Sequence, residues 1–64
     1  MITNLLRDWE IKEFFGKYVI VGDVYNDIKR RFNDGARIRT SEVLKIDFVN
    51  GVVETRNSVY HLEV

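Results

Sequence analysis

From Ile38 onward the chain alternates between apolar and polar residues, and Asn50-Gly51 breaks the alternation where only a turn fits. The stretch reads Ile-Arg-Thr-Ser-Glu-Val-Leu-Lys-Ile-Asp-Phe-Val, then Asn-Gly, then Val-Val-Glu-Thr-Arg-Asn-Ser-Val-Tyr-His-Leu-Glu-Val. Leu44, Ile46 and Phe48 keep the period of two that a strand with one buried face requires, and Asn-Gly is the strongest short hairpin signal. With Asn50 and Gly51 as the two turn residues, Phe48 falls opposite Val53 and Ile46 opposite Thr55. A second tight turn at Arg56-Asn57 then sets Thr55 against Ser58, Val53 against Tyr60 and Gly51 against Leu62. One uninterrupted strand from Val52 to Val64 is excluded, because Val53 and Val59 would face away from Tyr60 and Leu62. The expected result is a C-terminal β-meander. Its core face holds Leu44, Ile46, Phe48, Val53, Tyr60 and Leu62, with Thr55 and Ser58 at the rim. The solvated face carries Lys45, Asp47, Glu54 and His61, with Val43 and Val59 among them.

Upstream, Tyr18 to Tyr25 (Tyr-Val-Ile-Val-Gly-Asp-Val-Tyr) is β-branched and aromatic and reads as a strand, with Gly22 marking a bulge or a sharp bend. Residues 1–15 admit two readings. Ile2, Leu5, Leu6 and Trp9 suit a helix capped by Thr3 or Asn4, whereas Trp9-Glu10-Ile11-Lys12 alternates as a strand that Phe14-Phe15-Gly16-Lys17 would turn into the next. Asn26 to Gly35 is a loop ending in an Asp34-Gly35 turn, the longest irregular piece of the chain.

Sixty-four residues without a proline-rich linker or an internal repeat make one small domain, residues 1–64. The fold class expected is all-β, with a short N-terminal helix as the variant. It takes the form of a strongly bent antiparallel sheet or a partly open barrel of SH3-like or OB-like type. Such a chain has unpaired strand edges and more apolar strand than it can cover, so a homo-oligomer is expected, a dimer first. The lack of cysteine suits a reducing cytosol, and no segment approaches the roughly 20 apolar residues of a membrane span. The N-terminus lacks the order of a signal peptide. A cytoplasmic protein without a membrane partner is expected.

Chemistry-bearing residues are few. His61 is the only histidine, Ser41 and Ser58 have no base with an orienting carboxylate, and Asp23, Asp27, Asp34 and Glu42 follow no metal-loop spacing. No catalytic residue, metal ligand or cofactor is therefore assigned, and no enzyme is expected. What remains is cationic and hydroxylic: Lys29, Arg30 and Arg31, then Arg37 and Arg39 around Ile38, Thr40-Ser41, and Thr55-Arg56-Asn57-Ser58. Arginine forks and hydroxyls are the donors that phosphate oxygens need. Arg37, Arg39, Thr40, Ser41 and Arg56 are the candidate ligand-binding residues, with Tyr25, Phe32 or Tyr60 to stack on a base. The competing reading has the arginines simply balancing nearby Asp and Glu. Ten acidic and ten basic side chains cancel, which disfavours a general polyanion binder.

At Asp34-Gly35, Ile38-Arg39-Thr40-Ser41 and Thr55-Arg56-Asn57-Ser58-Val59-Tyr60-His61-Leu62 the chain resembles a group of small uncharacterised β-domain proteins of bacteria and their phages. Trp9 and Gly22-Asp23-Val24-Tyr25 fit the same pattern. The resemblance implies a phage or prophage setting and carries no catalytic residues with it. Three functions are open at this point. One is an oligomeric binder that sequesters an anionic, nucleotide-like or cyclic-nucleotide ligand of host defence. Another is an inhibitor or adaptor that meets a host protein through a sheet edge or an aromatic patch, and the third is single-stranded nucleic-acid binding.

Overall fold

The structure, a computed structural model, describes residues 2–63, so expectations that touch Met1 and Val64 lie outside it. Six strands follow in order: β1 (Leu5–Phe14), β2 (Lys17–Tyr25), β3 (Ala36–Arg39), β4 (Val43–Asp47), β5 (Val52–Thr55) and β6 (Val59–Leu62). No helix occurs among the described residues. The strands form one sheet in the order β3-β2-β1-β6-β5-β4. The expected antiparallel sheet is thus a mixed one, because β1 and β6 run parallel, with Leu5 beside His61 and Leu6 beside Leu62. β3 and β4 are the two outer strands, yet only Thr40, Ser41 and Glu42 separate them in sequence. A three-residue link between opposite edges forces the sheet to roll until β2 and β4 touch. The roll stops short of closure, since no ladder joins β3 to β4.

Residues 5–14 are strand, not helix, and the local chemistry explains the choice. Asn4 has φ 50°, and its side chain does not cap a helix. Instead Oδ1 accepts the Ile28 amide (2.9 Å), Nδ2 donates to the Val59 carbonyl (3.0 Å), and the Asn4 carbonyl accepts the His61 amide (2.9 Å). One buried asparagine thereby ties the chain start to the long loop and to β6. At the other end, Phe15 (φ 50°) and Gly16 (φ 80°) form the two-residue turn between β1 and β2 with the paired positive φ values of type I′.

Gly22 lies opposite the bulge expected near it, but the extra residue is on β1. Arg7 faces Asp23 and Glu10 faces Val21, so Asp8 and Trp9 share one partner, Gly22, and Asp8 takes φ 50°. A Cβ at Gly22 would lie 3.0 Å from the Trp9 Cβ and 3.2 Å from the Arg7 carbonyl oxygen. Gly22→Ala is therefore expected to destabilise by about 1–3 kcal/mol, as an overpacked site does. A denaturant midpoint equal to wild type would refute this placement of the bulge.

The meander is right in its second turn and shifted in its first. Val53 pairs with Tyr60, Thr55 meets Ser58 through an amide-to-carbonyl bond of 2.8 Å, and the Leu62 amide donates to the Gly51 carbonyl (2.8 Å). At the first turn, however, Val53 faces Ile46, and Phe48 does not face Val53. Asp47 is the reason: Oδ1 accepts the Val49 amide (3.0 Å) and the Asn50 amide (3.1 Å), and Oδ2 accepts the Asn50 side chain (2.8 Å). These bonds hold its carboxyl below the usual carboxylate range, the Asn50 side chain contributing most. They also wind residues 48–51 into a four-residue loop instead of a two-residue turn. Phe48 is consequently 62% exposed and not a core residue. Leu44 also leaves the predicted core face, because a bulge between Val43 and Lys45 turns it outward and packs Val43 against the core instead.

The core that results is Leu6, Ile20, Val24, Ile38, Val53, Tyr60 and Leu62, drawn from five strands, with Trp9, Ala36, Val43 and Ile46 packed around it. Trp9 is further fixed by its indole N–H, which donates to the Glu63 carbonyl (2.8 Å).

Candidate binding cleft at the β1–β2 hairpin tip

β1 and β2 extend past the core as a hairpin arm, in which Ile11 faces Ile20 and Phe14 faces Lys17. Val21 of β2 pairs with Arg39 of β3, so Arg39 leaves the sheet beside this arm. Its guanidinium carbon sits 5.6 Å from the centroid of the Phe14 ring. Together with Phe15, Lys17 and Val19 of the arm and Thr40, Ser41 and Glu42 of the β3–β4 link, they line an open cleft of about 470 Å³.

Three of the candidate residues, Arg39, Thr40 and Ser41, line this cleft, and they do not share one role. Thr40 is buried and structural. Its hydroxyl accepts the Ile20 amide (3.0 Å) and donates to the Ser41 carbonyl (2.9 Å), while its own amide donates to the Ile20 carbonyl (2.8 Å). Those bonds close the seam between β2 and the β3–β4 link, so the Thr40 hydroxyl is not free for a ligand. The Ser41 Oγ accepts the Asn57 amide (3.2 Å), which docks the β5–β6 turn against the link. Its hydroxyl proton remains available to an acceptor.

Arg37 and Arg56 depart from the expected site. Arg37 is on the same strand but is drawn to carboxylates: Nη1 is 2.9 Å from Asp23 Oδ1, and Nη2 lies 3.7 Å from Glu10 Oε1 and donates to the Asp8 carbonyl (3.2 Å). Arg56 does come alongside, because its amide donates to the Glu42 carbonyl, but its Nε is engaged by Glu42 Oε1 at 2.9 Å. Both arginines thus balance nearby carboxylates, as the competing reading expects. Arg39 and Lys17 have no carboxylate partner among the described residues. Lys29, Arg30 and Lys45 are likewise outside any ion pair, but of these five cations Arg39 and Lys17 are the two that line the cleft.

The aromatic partners also differ from those expected. Tyr25 is covered by Arg7, whose guanidinium carbon is 4.6 Å from the ring centroid; Phe32 is covered by Arg31 at 5.2 Å; and Tyr60 is buried. At the cleft itself Phe14, 45% exposed, lies beneath Arg39, and Phe15 is fully exposed with no cation over its ring among the described residues. Phe15 carries the one clue legible in the sequence. A turn position with positive φ costs a Cβ-bearing residue roughly 1–2 kcal/mol, and glycine or asparagine would ordinarily fill it.

Other chemistry lies elsewhere. His61 Nδ1 donates to the Thr3 carbonyl (3.0 Å), a structural bond, and the described residues contain no cluster of His, Asp and Glu that could hold a metal ion. No helix among them is long and apolar enough to cross a membrane. Compared with known proteins, the chain matches no family model, no curated protein and no solved structure.

Proposed function

We propose that the protein is a non-enzymatic binder of a phosphate-bearing aromatic ligand of the nucleotide class, held at the hairpin-tip cleft. The observation that carries this is the pairing of two unpartnered cations, Arg39 and Lys17, with two exposed phenylalanine rings in a single concave surface. Phosphate oxygens would bond the Arg39 fork, the Lys17 ammonium and the Ser41 hydroxyl, while the base stacks on Phe14 or Phe15. Phe15 gives independent support: a strained backbone and a fully exposed ring both lower stability, and conformational strain of this kind concentrates at functional positions. In the phage setting that the sequence pattern implies, such a binder would serve by withdrawing a nucleotide signal of host defence in the bacterial cytosol.

Isothermal titration with nucleoside mono-, di- and triphosphates and with cyclic oligonucleotides tests the reading. Wild type should release or absorb heat with at least one of them. Arg39→Ala should weaken that binding about tenfold or more, because one charge-assisted bond is lost. Phe15→Asn should also weaken it while raising the melting temperature, since asparagine accepts the left-handed turn more cheaply. No heat from any ligand would dismiss the proposal.

A second reading, binding of a protein partner through an aromatic patch, is favoured by a different surface. Ile11, Tyr18, Val43, Ile46 and Phe48 line a groove of about 210 Å³, every one of them apolar or aromatic. Exposed apolar surface of this kind marks interfaces more often than ligand clefts for anions.

A further inference from the structure

The backbone bonds of the meander determine which way β4 offers its free hydrogen-bonding groups. The Thr55 amide donates to Ser58 and the Leu62 amide to Gly51, so Thr55, Val53 and Gly51 direct their N–H and C=O groups toward β6. By alternation, Val52 and Glu54 bond toward β4, and their partners Asp47 and Lys45 are the residues of β4 that bond back. Ile46, between them, therefore turns its N–H and C=O away from β5. β4 is an outer strand of the sheet, and nothing in the described ladders pairs with that side.

We infer that β4 is the interface for a second copy of this chain, joined antiparallel across a twofold axis at Ile46. In that register the Ile46 amide and carbonyl of each copy exchange two hydrogen bonds. Lys45 falls opposite Asp47 of the second copy, and this occurs twice by symmetry. Carried one step further, to the bulge at one end and the loop at the other, the register brings Leu44 near Phe48 of the second copy, again twice. The strand is thus complementary to itself in charge and in apolar content at one register. Moving the axis by one residue to Lys45, a slide of two residues, sets Leu44 opposite Ile46 and leaves Lys45 facing its own like charge. The register also accounts for two exposures that the isolated chain leaves unexplained, Leu44 at 52% and Phe48 at 62%. Ile46 and Phe48 line the apolar groove that includes Ile11 and Tyr18, so the same pairing carries apolar side chains of the second copy toward it. This groove and the Arg39 cleft share no lining residue.

Sedimentation equilibrium between 1 and about 100 µM, in the concentration range where weak edge pairing of a small domain is detectable, is the first test. A species of twice the 7.6 kDa chain is expected. Lys45→Glu, on an exposed side chain, should weaken it about tenfold by placing like charges together at two symmetric positions. Register is read by disulfide trapping in a chain that has no cysteine of its own. Leu44→Cys with Phe48→Cys should yield a covalent dimer on mild oxidation, since the two positions of one copy are about 12 Å apart and cannot bridge internally. Val49→Cys, on a side chain 94% exposed but off the register, is the control and should remain uncrosslinked. A monomer throughout the concentration range overturns the inference. So does a dimer indifferent to Lys45→Glu, or one that the Val49→Cys variant traps as readily as the paired cysteines.

Discussion

Asp27→Ala should destabilise the protein by about 3 kcal/mol, the loss that follows when a buried, multiply bonded carboxylate is removed from its cation. The Asp27 side chain is 1% exposed, and it organises the whole loop between β2 and β3. Oδ2 accepts the backbone amides of Arg31 and Phe32 (3.2 Å for the latter), Oδ1 accepts Arg31 Nη2 (3.0 Å), and the Asp27 carbonyl accepts the Arg30 amide (3.0 Å). Arg31 in turn reaches the Tyr60 hydroxyl of the core at 3.4 Å. Removing the carboxylate orphans two amides and frees a half-buried guanidinium, so the loop and one wall of the core loosen together.

The same site sets a pH dependence of definite sign. The Arg31 guanidinium bonded to Asp27 holds the carboxyl below its ordinary value, and the Arg31 and Phe32 amides add to the effect against the opposing cost of burial. A carboxyl whose folded pKa is depressed stabilises the fold at any pH above its unfolded value. That contribution disappears as pH falls from about 4 through the folded pKa. Wild type should therefore lose stability below about pH 4, and Asp27→Ala should lose less over the same interval. Parallel pH profiles for the two proteins would contradict the assignment.

Leu6→Ala is the second large effect. Leu6 is fully buried where the parallel β1–β6 pair joins the two halves of the sheet, and its truncation should cost about 3 kcal/mol, the middle of the range for a buried leucine. A 64-residue domain has roughly 3–10 kcal/mol to lose, so the variant should be largely unfolded at 37 °C. Phe48→Ala makes the contrast. Period-two alternation alone would make it the more damaging change, yet its ring is mostly in solvent, and within the monomer it should alter the denaturant midpoint far less than Leu6→Ala. The reverse order would restore Phe48 to the core and contradict the four-residue loop.

The difference between those two residues shows where sequence patterning stops being informative. The strand around Tyr18–Tyr25, the Arg56-Asn57 and Asp34-Gly35 turns, and the shared burial of Val53, Tyr60 and Leu62 are local consequences of alternation and turn chemistry, and they are legible in the chain, whereas β1 is not, because its first half carries a helical pattern as well. The register at Asn50-Gly51 is not, because it depends on whether the Asp47 side chain captures the Val49 and Asn50 amides, a competition that dipeptide preference does not express. The parallel pairing of β1 with β6 joins residues more than fifty positions apart and leaves no periodic trace. The cleft divides in the same way. Arg39, Thr40 and Ser41 were legible as a donor-rich stretch, while the removal of Arg37 and Arg56 into ion pairs depends on Asp23 and Glu42, which the rolled sheet brings to them. Phe14, Phe15 and Lys17 belong to the site only because the hairpin arm passes beside β3. Their single sequence signal is an aromatic residue where a turn prefers glycine or asparagine.

Amide ¹H–¹⁵N shift mapping during titration with a nucleoside monophosphate reports both that the ligand binds and where. Binding at the hairpin-tip cleft should concentrate shifts at Phe14–Lys17 and at Arg39–Ser41, give a weaker response to the unphosphorylated nucleoside, and lose the response in Arg39→Ala. An unchanged spectrum, or shifts confined to the groove of Ile11, Ile46 and Phe48, would contradict it.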